Sequence, residues 1–154
     1  MTKNDNCCNI IIEMNTNKET TKKSLEDKNI KPTFPRLKIF EYLLANMSHP
    51  TVEEIYRHLV KEIPTISKTT IYNTLQNFVN SGLVVQLLSG SQARFDAIVK
   101  PHHHFVCSDC GRVIDIDIVC PNTCRKEVEG HQIKEIQGYF FGACSRCRVR
   151  GAKV

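Results

Sequence analysis

Two CxxC pairs, Cys107 with Cys110 and Cys144 with Cys147, restrict this chain more than any other feature. Four soft thiolates in two short bites suit tetrahedral Zn(II), at about 2.3 Å per bond. A lobe of about 50 residues has a thin core of its own, and a closed thiolate site adds apparent folding free energy on the order of 10 kcal/mol. Closed four-thiolate coordination favours structure over catalysis. The alternative, two independent redox dithiols, is disfavoured because neither CxxC sits at a strand-to-helix junction in the sequence pattern.

The chain has eight cysteines, which in a short secreted protein would suggest disulfides. Its Asn-rich start has no basic and apolar signal regions, and no apolar run approaches ~18 residues, so the expected location is the cytoplasm, with no membrane role. Cysteine here therefore reads as metal binding or thiol chemistry. Cys120 and Cys124 stand one helical turn apart and read as small core hydrophobes, with a thiol switch as the other reading. Cys7 and Cys8 lie in a polar tail. A net charge of +5 favours polyanionic partners without approaching the basicity of a protein that coats nucleic acid.

The apolar periodicity divides the remainder. Residues 1–17 are expected to be a disordered tail. A first helix runs from Lys18 to about Asn29, and a second carries Leu37, Phe40, Leu43 and Leu44 on one face. A third follows Thr51, with Glu54 completing a capping box, Ile55, Leu59 and Ile63 as its apolar face, and Pro64 ending it. Ser67 caps a fourth, with Ile71, Leu75, Phe78 and Val79 on one face and Gly82 as the C-terminal cap. Runs 83–88 and 93–96 read as a hairpin. Helices followed by a hairpin make a winged helix over residues 18–96. After a hinge at 97–101, residues 102–154 read as a small α/β lobe, with strands at 105–106, 113–118, 133–136 and 139–141 and a helix starting near Pro121. Tyr139, Phe140 and Phe141 fit either a dimer sheet or a core. The fold class is α+β: an N-terminal winged-helix domain followed by a small α/β domain with a four-cysteine zinc site.

His102, His103 and His104 immediately precede the first CxxC. In a strand His102 and His104 point to one side and His103 to the other, so two imidazoles can share a metal. Asp96 upstream, Asp115 downstream and His49 strengthen that reading.

The segments HPTVEEIY, SKTTIYNTL, SGLV, RFD, HHHFVCSDCG and VIDID, followed by CSRC, together resemble the ferric uptake regulator superfamily over roughly residues 20 to 150. The resemblance implies a homodimeric repressor whose winged-helix DNA-binding domain (18–96) binds double-stranded, palindromic operator DNA and whose second, metal-binding domain (102–154) is the dimerisation domain. It also implies four cysteines holding structural Zn(II) and a hinge metal controlling DNA affinity. The regulatory ligands it implies are His49, Asp96, His102, His104 and Asp115, a nitrogen and oxygen set that suits Fe(II) or Mn(II).

Asp115, where iron sensors of the superfamily carry Glu, is similar to the peroxide-responsive branch. That branch implies oxidation of His49 or His102 when the Fe(II) form meets hydrogen peroxide. Ser67, Lys68, Thr69, Thr70, Tyr72 and Asn73 are the expected DNA-facing residues of the fourth helix, with Arg36 from the second. Two features depart from the pattern. The usual Thr-Pro-Gln-Arg stands here as Thr33-Phe34-Pro35-Arg36, and the stretch from His131 to Tyr139 is short, so no third metal site is expected.

The competing functions are an iron-responsive repressor without peroxide sensing, a thiol redox protein and a zinc-dependent hydrolase. The last needs an open metal position and a positioned base. Ligands drawn from both lobes suit a hinge lock better than a catalytic cleft, and the protein is expected not to be an enzyme.

Overall fold

The computed structural model describes residues 18–151 except 47, 88–91, 98–101, 117, 119–124, 135 and 137. The tail, most of the expected hinge, the expected helix start at Pro121, and Cys7, Cys8, Cys120 and Cys124 lie outside the described residues.

Four helices come first: α1 (Lys18–Asp27), α2 (Phe34–Ala45), α3 (Val52–Leu59) and α4 (Lys68–Asn80). Local chemistry sets their ends. Thr33 N-caps α2 without a side-chain bond, and Pro35 stands in its first turn, where a missing N–H costs nothing. Thr51 and Glu54 form the expected capping box, Thr51 N–H donating to Glu54 Oε2 at 2.7 Å and Glu54 N–H to Thr51 Oγ1 at 3.2 Å. α3 stops at Leu59, several residues before Pro64. Ser67 Oγ accepts from Thr70 N–H at 3.0 Å at the start of α4. At its end Gly82 takes φ +66°, and Leu83 N–H reaches Phe78 O at 2.9 Å, the bond pattern of a left-handed helix stop.

Most positions named by periodicity pack, but the buried face of α2 is turned toward Ile39, which was not expected, while Leu37, Leu44, Ile63 and Val79 are only partly buried. Ile39, Phe40 and Leu43 of α2, Ile55 and Leu59 of α3, and Ile71, Leu75 and Phe78 of α4 close one core with Leu25 and Phe95. Phe40 meets Phe78 edge-on at 5.7 Å, the favoured geometry for aromatic quadrupoles. The helices lead into an antiparallel hairpin of β1 (Val85–Leu87) and β2 (Arg94–Asp96), shorter than the expected runs, in the register Val85↔Asp96. This is a winged helix.

Beyond it, β3 (His103–Cys107) pairs antiparallel with β4 (Val113–Ile116) and parallel with β7 (Gly138–Gly142), in the order β4-β3-β7. Leu87 of the hairpin packs with Val106 and Val113 of this sheet.

Three expectations for this part are corrected. Residues 133, 134 and 136 form no strand; the short pair there is β5 (Glu127–Val128) with β6 (His131–Gln132), turned by Glu129 and Gly130 at positive φ. The apolar spacing of Ile133 and Ile136 imitated a strand, whereas turn chemistry set the hairpin earlier. β4 ends at Ile116, not 118. Finally, α5 (Ser145–Gly151) was not anticipated, and it puts the second CxxC between β7 and a helix. The absence of a strand-to-helix junction therefore cannot be used against redox chemistry; the geometry of the sulfurs has to decide.

The first residue of β7 is tightly placed. A Cβ on Gly138 would stand 2.2 Å from Nδ1 of the buried His103 ring. Gly138→Ala must displace that ring or the strand, and should lower stability by about 1–3 kcal/mol. Denaturant unfolding of both forms checks this, with an unchanged midpoint contradicting the packing.

Candidate metal centres

Each centre is assembled from several elements. Cys107 ends β3, and Cys110 follows in a turn that Gly111, at φ +67°, closes by donating its N–H to Cys107 O at 2.9 Å. Parallel pairing of β3 with β7 lays Cys107 beside Gly142, so the chain leaving β7 brings Cys144 and Cys147 to the same place. The four sulfurs lie within 4.8 Å of one another, and Cys110 and Cys144 are 3.9 Å apart. Ligands about 2.3 Å from a tetrahedral centre stand about 3.8 Å apart, so the set fits Zn(II). Two separate dithiols would not converge in this way.

The local electrostatics agree. The Cys144 N–H, 3.3 Å from Cys107 Sγ, is the chief reason that thiol is lowered to about 6. Cys147 is pushed up to about 12 by the neighbouring sulfurs of Cys144 and Cys110. Four thiols this close cannot all ionise unaided, and a divalent cation removes the conflict.

The second centre gathers side chains far apart in the sequence. His49 comes from the turn before α3, Asp96 from the end of β2, His102 and His104 from the start of β3, and Asp115 from β4. Ligand atoms of His49, Asp96, His102 and His104 lie within 4.8 Å of one another. Asp96 Oδ2 is 3.0 Å from His102 Nε2, 3.5 Å from His104 Nε2 and 3.9 Å from His49 Nε2. Asp115 Oδ1 is 2.8, 3.3 and 3.6 Å from Nε2 of His49, His102 and His104. Ligands about 2.1 Å from a common ion are about 3.0 to 3.4 Å apart, so these spacings suit the edges of a coordination polyhedron.

His49, Asp96 and His104 are buried, whereas the side chains of His102 and Asp115 are 20% and 34% exposed, giving the site one open side. Burial would raise the Asp115 carboxyl, but hydrogen bonds from His102 and His49 outweigh it and hold the group well below the usual carboxylate range. The buried Nε2 of His104 has no hydrogen-bond partner of good geometry, as expected of a nitrogen aimed at an ion. All five expected ligands are thus brought together. His103 points away and packs on Gly138 and Phe140.

The expected DNA-facing residues also group. Ser67, Lys68, Thr69, Thr70, Tyr72 and Asn73 are exposed on α4, opposite the buried Ile71, Thr74, Leu75 and Phe78. Sequence reasoning missed the partners of Lys68: its ammonium closes on Glu53 and lies 5.3 Å from the Tyr56 ring centre. Arg36 is half-buried and donates to Lys31 O at 3.1 Å. Sequence reasoning also missed Arg94, whose guanidinium donates to His49 O at 2.9 Å; its position in the RFD segment, two residues before Asp96, was the available signal. Among the described residues, no helix is long and apolar enough to cross a membrane.

Known proteins share this arrangement of sequence and fold. The sequence profile of the Ferric uptake regulator family matches residues 27–139. The Peroxide operon regulator of Bacillus subtilis is 32% identical over 128 residues, covering 80% of this chain and 88% of its own. The Vibrio cholerae ferric uptake regulator superposes with a TM-score of 0.65 at 31% identity, covering 80% of this chain and 98% of its own. The Pseudomonas aeruginosa ferric uptake regulator, solved with manganese, gives 0.68 at 27% identity over 81% and 98%. The match runs through the winged helix and most of the sheet that carries the metal centres, and the chain belongs to the ferric uptake regulator family of metal-dependent transcription regulators.

Proposed function

We propose that this protein is a homodimeric repressor whose grip on operator DNA depends on Fe(II) or Mn(II) at the five-residue centre, and that it senses hydrogen peroxide there. The carrying observation is the convergence of His49, Asp96, His102, His104 and Asp115 from segments on both sides of residues 97–101. An ion held by all five pins the winged helix, residues 18–96, against the dimerising part, residues 102–154. Without it the two recognition helices of a dimer lose their fixed spacing, which is what a palindromic operator measures. Zn(II) at Cys107, Cys110, Cys144 and Cys147 has a structural role.

Three observations support the peroxide trigger: the aspartate at 115, the name of the Bacillus subtilis relative, and the open side of the site at His102 and Asp115. Fe(II), when bound, would supply an electron to cleave the peroxide O–O bond and recover one from the ring that is oxidised. The protein's part is to place imidazole C–H groups beside that event. One peroxide oxygen would end as hydroxyl on a ring carbon of His49 or His102, and the other would leave as water with the hydrogen displaced from that carbon. Asp115 touches both rings, at 2.8 and 3.3 Å, so it fixes which carbon faces the oxidant.

Replacing Cys107 or Cys144 with Ser should abolish zinc retention, folding of the sheet part and dimerisation, because a small stapled core loses a metal bond. A zinc-loaded, thermally unchanged dimer would remove the structural assignment.

On α4, Lys68→Ala should weaken binding to all DNA sequences alike and reduce the salt slope by about one unit per chain. Tyr72→Ala should instead reduce the preference for operator over random DNA, because no ring then packs on thymine methyls. Electrophoretic titrations in a salt series read both, and unchanged affinity and selectivity in both variants would dismiss α4 as the reading helix.

Asp115→Glu keeps a carboxylate ligand but lengthens it by a methylene, so metal-activated DNA binding should survive while its loss on peroxide treatment of the Fe(II) form is blunted. Operator binding and mass spectrometry of the His49 and His102 peptides, seeking one added oxygen, provide the readouts, with Mn(II) protein as the peroxide-resistant control. An Fe(II) wild type that stays on DNA with no oxidised histidine would make the protein an iron-responsive repressor without peroxide sensing. Equal responses of wild type and variant would leave the sensor class standing and remove Asp115 as its determinant.

A further inference from the structure

Three described residues other than glycine have positive φ: Asn29, His49 and Glu129. Asn29 and Glu129 are exposed residues in a helix stop and a hairpin turn, where such angles are common. His49 is different. It is 1% exposed and immediately precedes Pro50, a position that ordinarily favours extended backbone, yet its φ is +52°. A costly conformation of this kind persists only where its surroundings over-determine it.

The surroundings are β2. Arg94 donates from Nη1 to His49 O at 2.9 Å, Phe95 N–H donates to Pro50 O at 3.2 Å, and Thr51 forms a backbone bridge with Arg94. Residues 49–51 therefore lie along β2, the strand that supplies Asp96. The Arg94 side chain is 21% exposed, and its Nη1 is also 3.5 Å from Glu54 Oε2, the carboxylate that caps α3. Of these contacts, only the one from Arg94 to the His49 carbonyl uses a side chain to hold the turn itself.

We propose that Arg94 is a positioning residue for the regulatory metal centre: its guanidinium fixes the left-handed turn at His49 and so aims that imidazole at Asp96, His102, His104 and Asp115. The proposal rests on the reading of those five side chains as ligands. Loss of the donor leaves a carbonyl of a buried residue without its partner and lets the turn relax toward ordinary φ, which swings Nε2 out of the site. β2 thus contributes one ligand directly, through Asp96, and a second indirectly, through Arg94.

The test uses the full-length, zinc-loaded protein and Mn(II), with the free ion followed by its electron paramagnetic resonance signal. Arg94→Met keeps the apolar stem and removes only the donors; it should raise the Mn(II) Kd by about 10–100-fold, the usual effect of losing a group that orients a ligand, with zinc content unchanged. Arg94→Lys retains one donor and should fall between Arg94→Met and wild type. Glu54→Gln removes the partly exposed ion pair but leaves the Arg94 donor and an oxygen to cap α3, so its Kd should stay within about twofold of wild type.

Wild-type affinity in Arg94→Met overturns the proposal. So does a Glu54→Gln protein as weak as Arg94→Met, since the effect would then run through the ion pair. If Arg94→Met is too unstable to titrate, Arg94→Lys decides, and affinity equal to that of Glu54→Gln overturns it. A wild type that binds no Mn(II) removes the ligand reading and this proposal together, whereas a wild type that binds while Arg94→Met matches it removes only the role of Arg94.

Discussion

Charge balance in a confined space governs this structure. The second metal centre holds two carboxylates among three imidazoles, with Asp96, His49 and His104 almost wholly removed from solvent. Buried carboxylates are tolerated only when paired, and a neutral imidazole balances them poorly. A divalent ion would match the two negative charges of Asp96 and Asp115 while accepting the imidazole nitrogen lone pairs gathered around them. The cysteine centre states the same problem in sulfur. There the Cys144 N–H and the Arg112 guanidinium, 4.0 Å from Cys144 Sγ, lean toward the thiolates and offset part of what four anions and one divalent ion leave over.

Much of this was legible in the sequence because it is carried by periodicity and spacing. The apolar faces of α2, α3 and α4, the capping box at Thr51 and Glu54, and the stop at Gly82 are local features, written within a few residues of where they act. The ligands were legible for another reason: cysteine, histidine and aspartate are few, and their order along the chain resembles a known family. Long-range backbone relations left no such trace. The positive φ at His49 follows from its docking on β2, which no window around Ser48 and Pro50 contains. The helix α5 has three arginines and no buried residue, so it presents no apolar stripe to find. Ile133 and Ile136 gave a false strand because two apolar residues bear no direction by themselves.

The second metal centre and the exposed face of α4 lie within one step of each other through α3. His49 sits one turn ahead of α3, and α3 packs beside α4, which exposes Lys68, Tyr72 and Asn73. Glu53 and Tyr56, on α3, hold the Lys68 ammonium. A displacement at the start of α3 therefore reaches both the packing of α4 and the charge at its first turn, with no element in between.

The strand β3 carries parts of both centres. His104, with His102 just ahead of the strand, belongs to one candidate centre and Cys107 to the other, and the positions between are also spoken for: His103 lies against Gly138, Phe105 against Gly142, and Val106 in the apolar cluster. Because side chains alternate along a strand, inserting or deleting one residue here would exchange the two faces throughout. The strand is thus closed to gradual change. A lineage or a designer wishing to retune metal preference is left with the outlying ligands, His49, Asp96 and Asp115, each carried on a separate segment that can vary without disturbing the zinc. Variation in metal preference should therefore accumulate at those three positions, while β3 stays as a fixed standard of length between the two candidate centres.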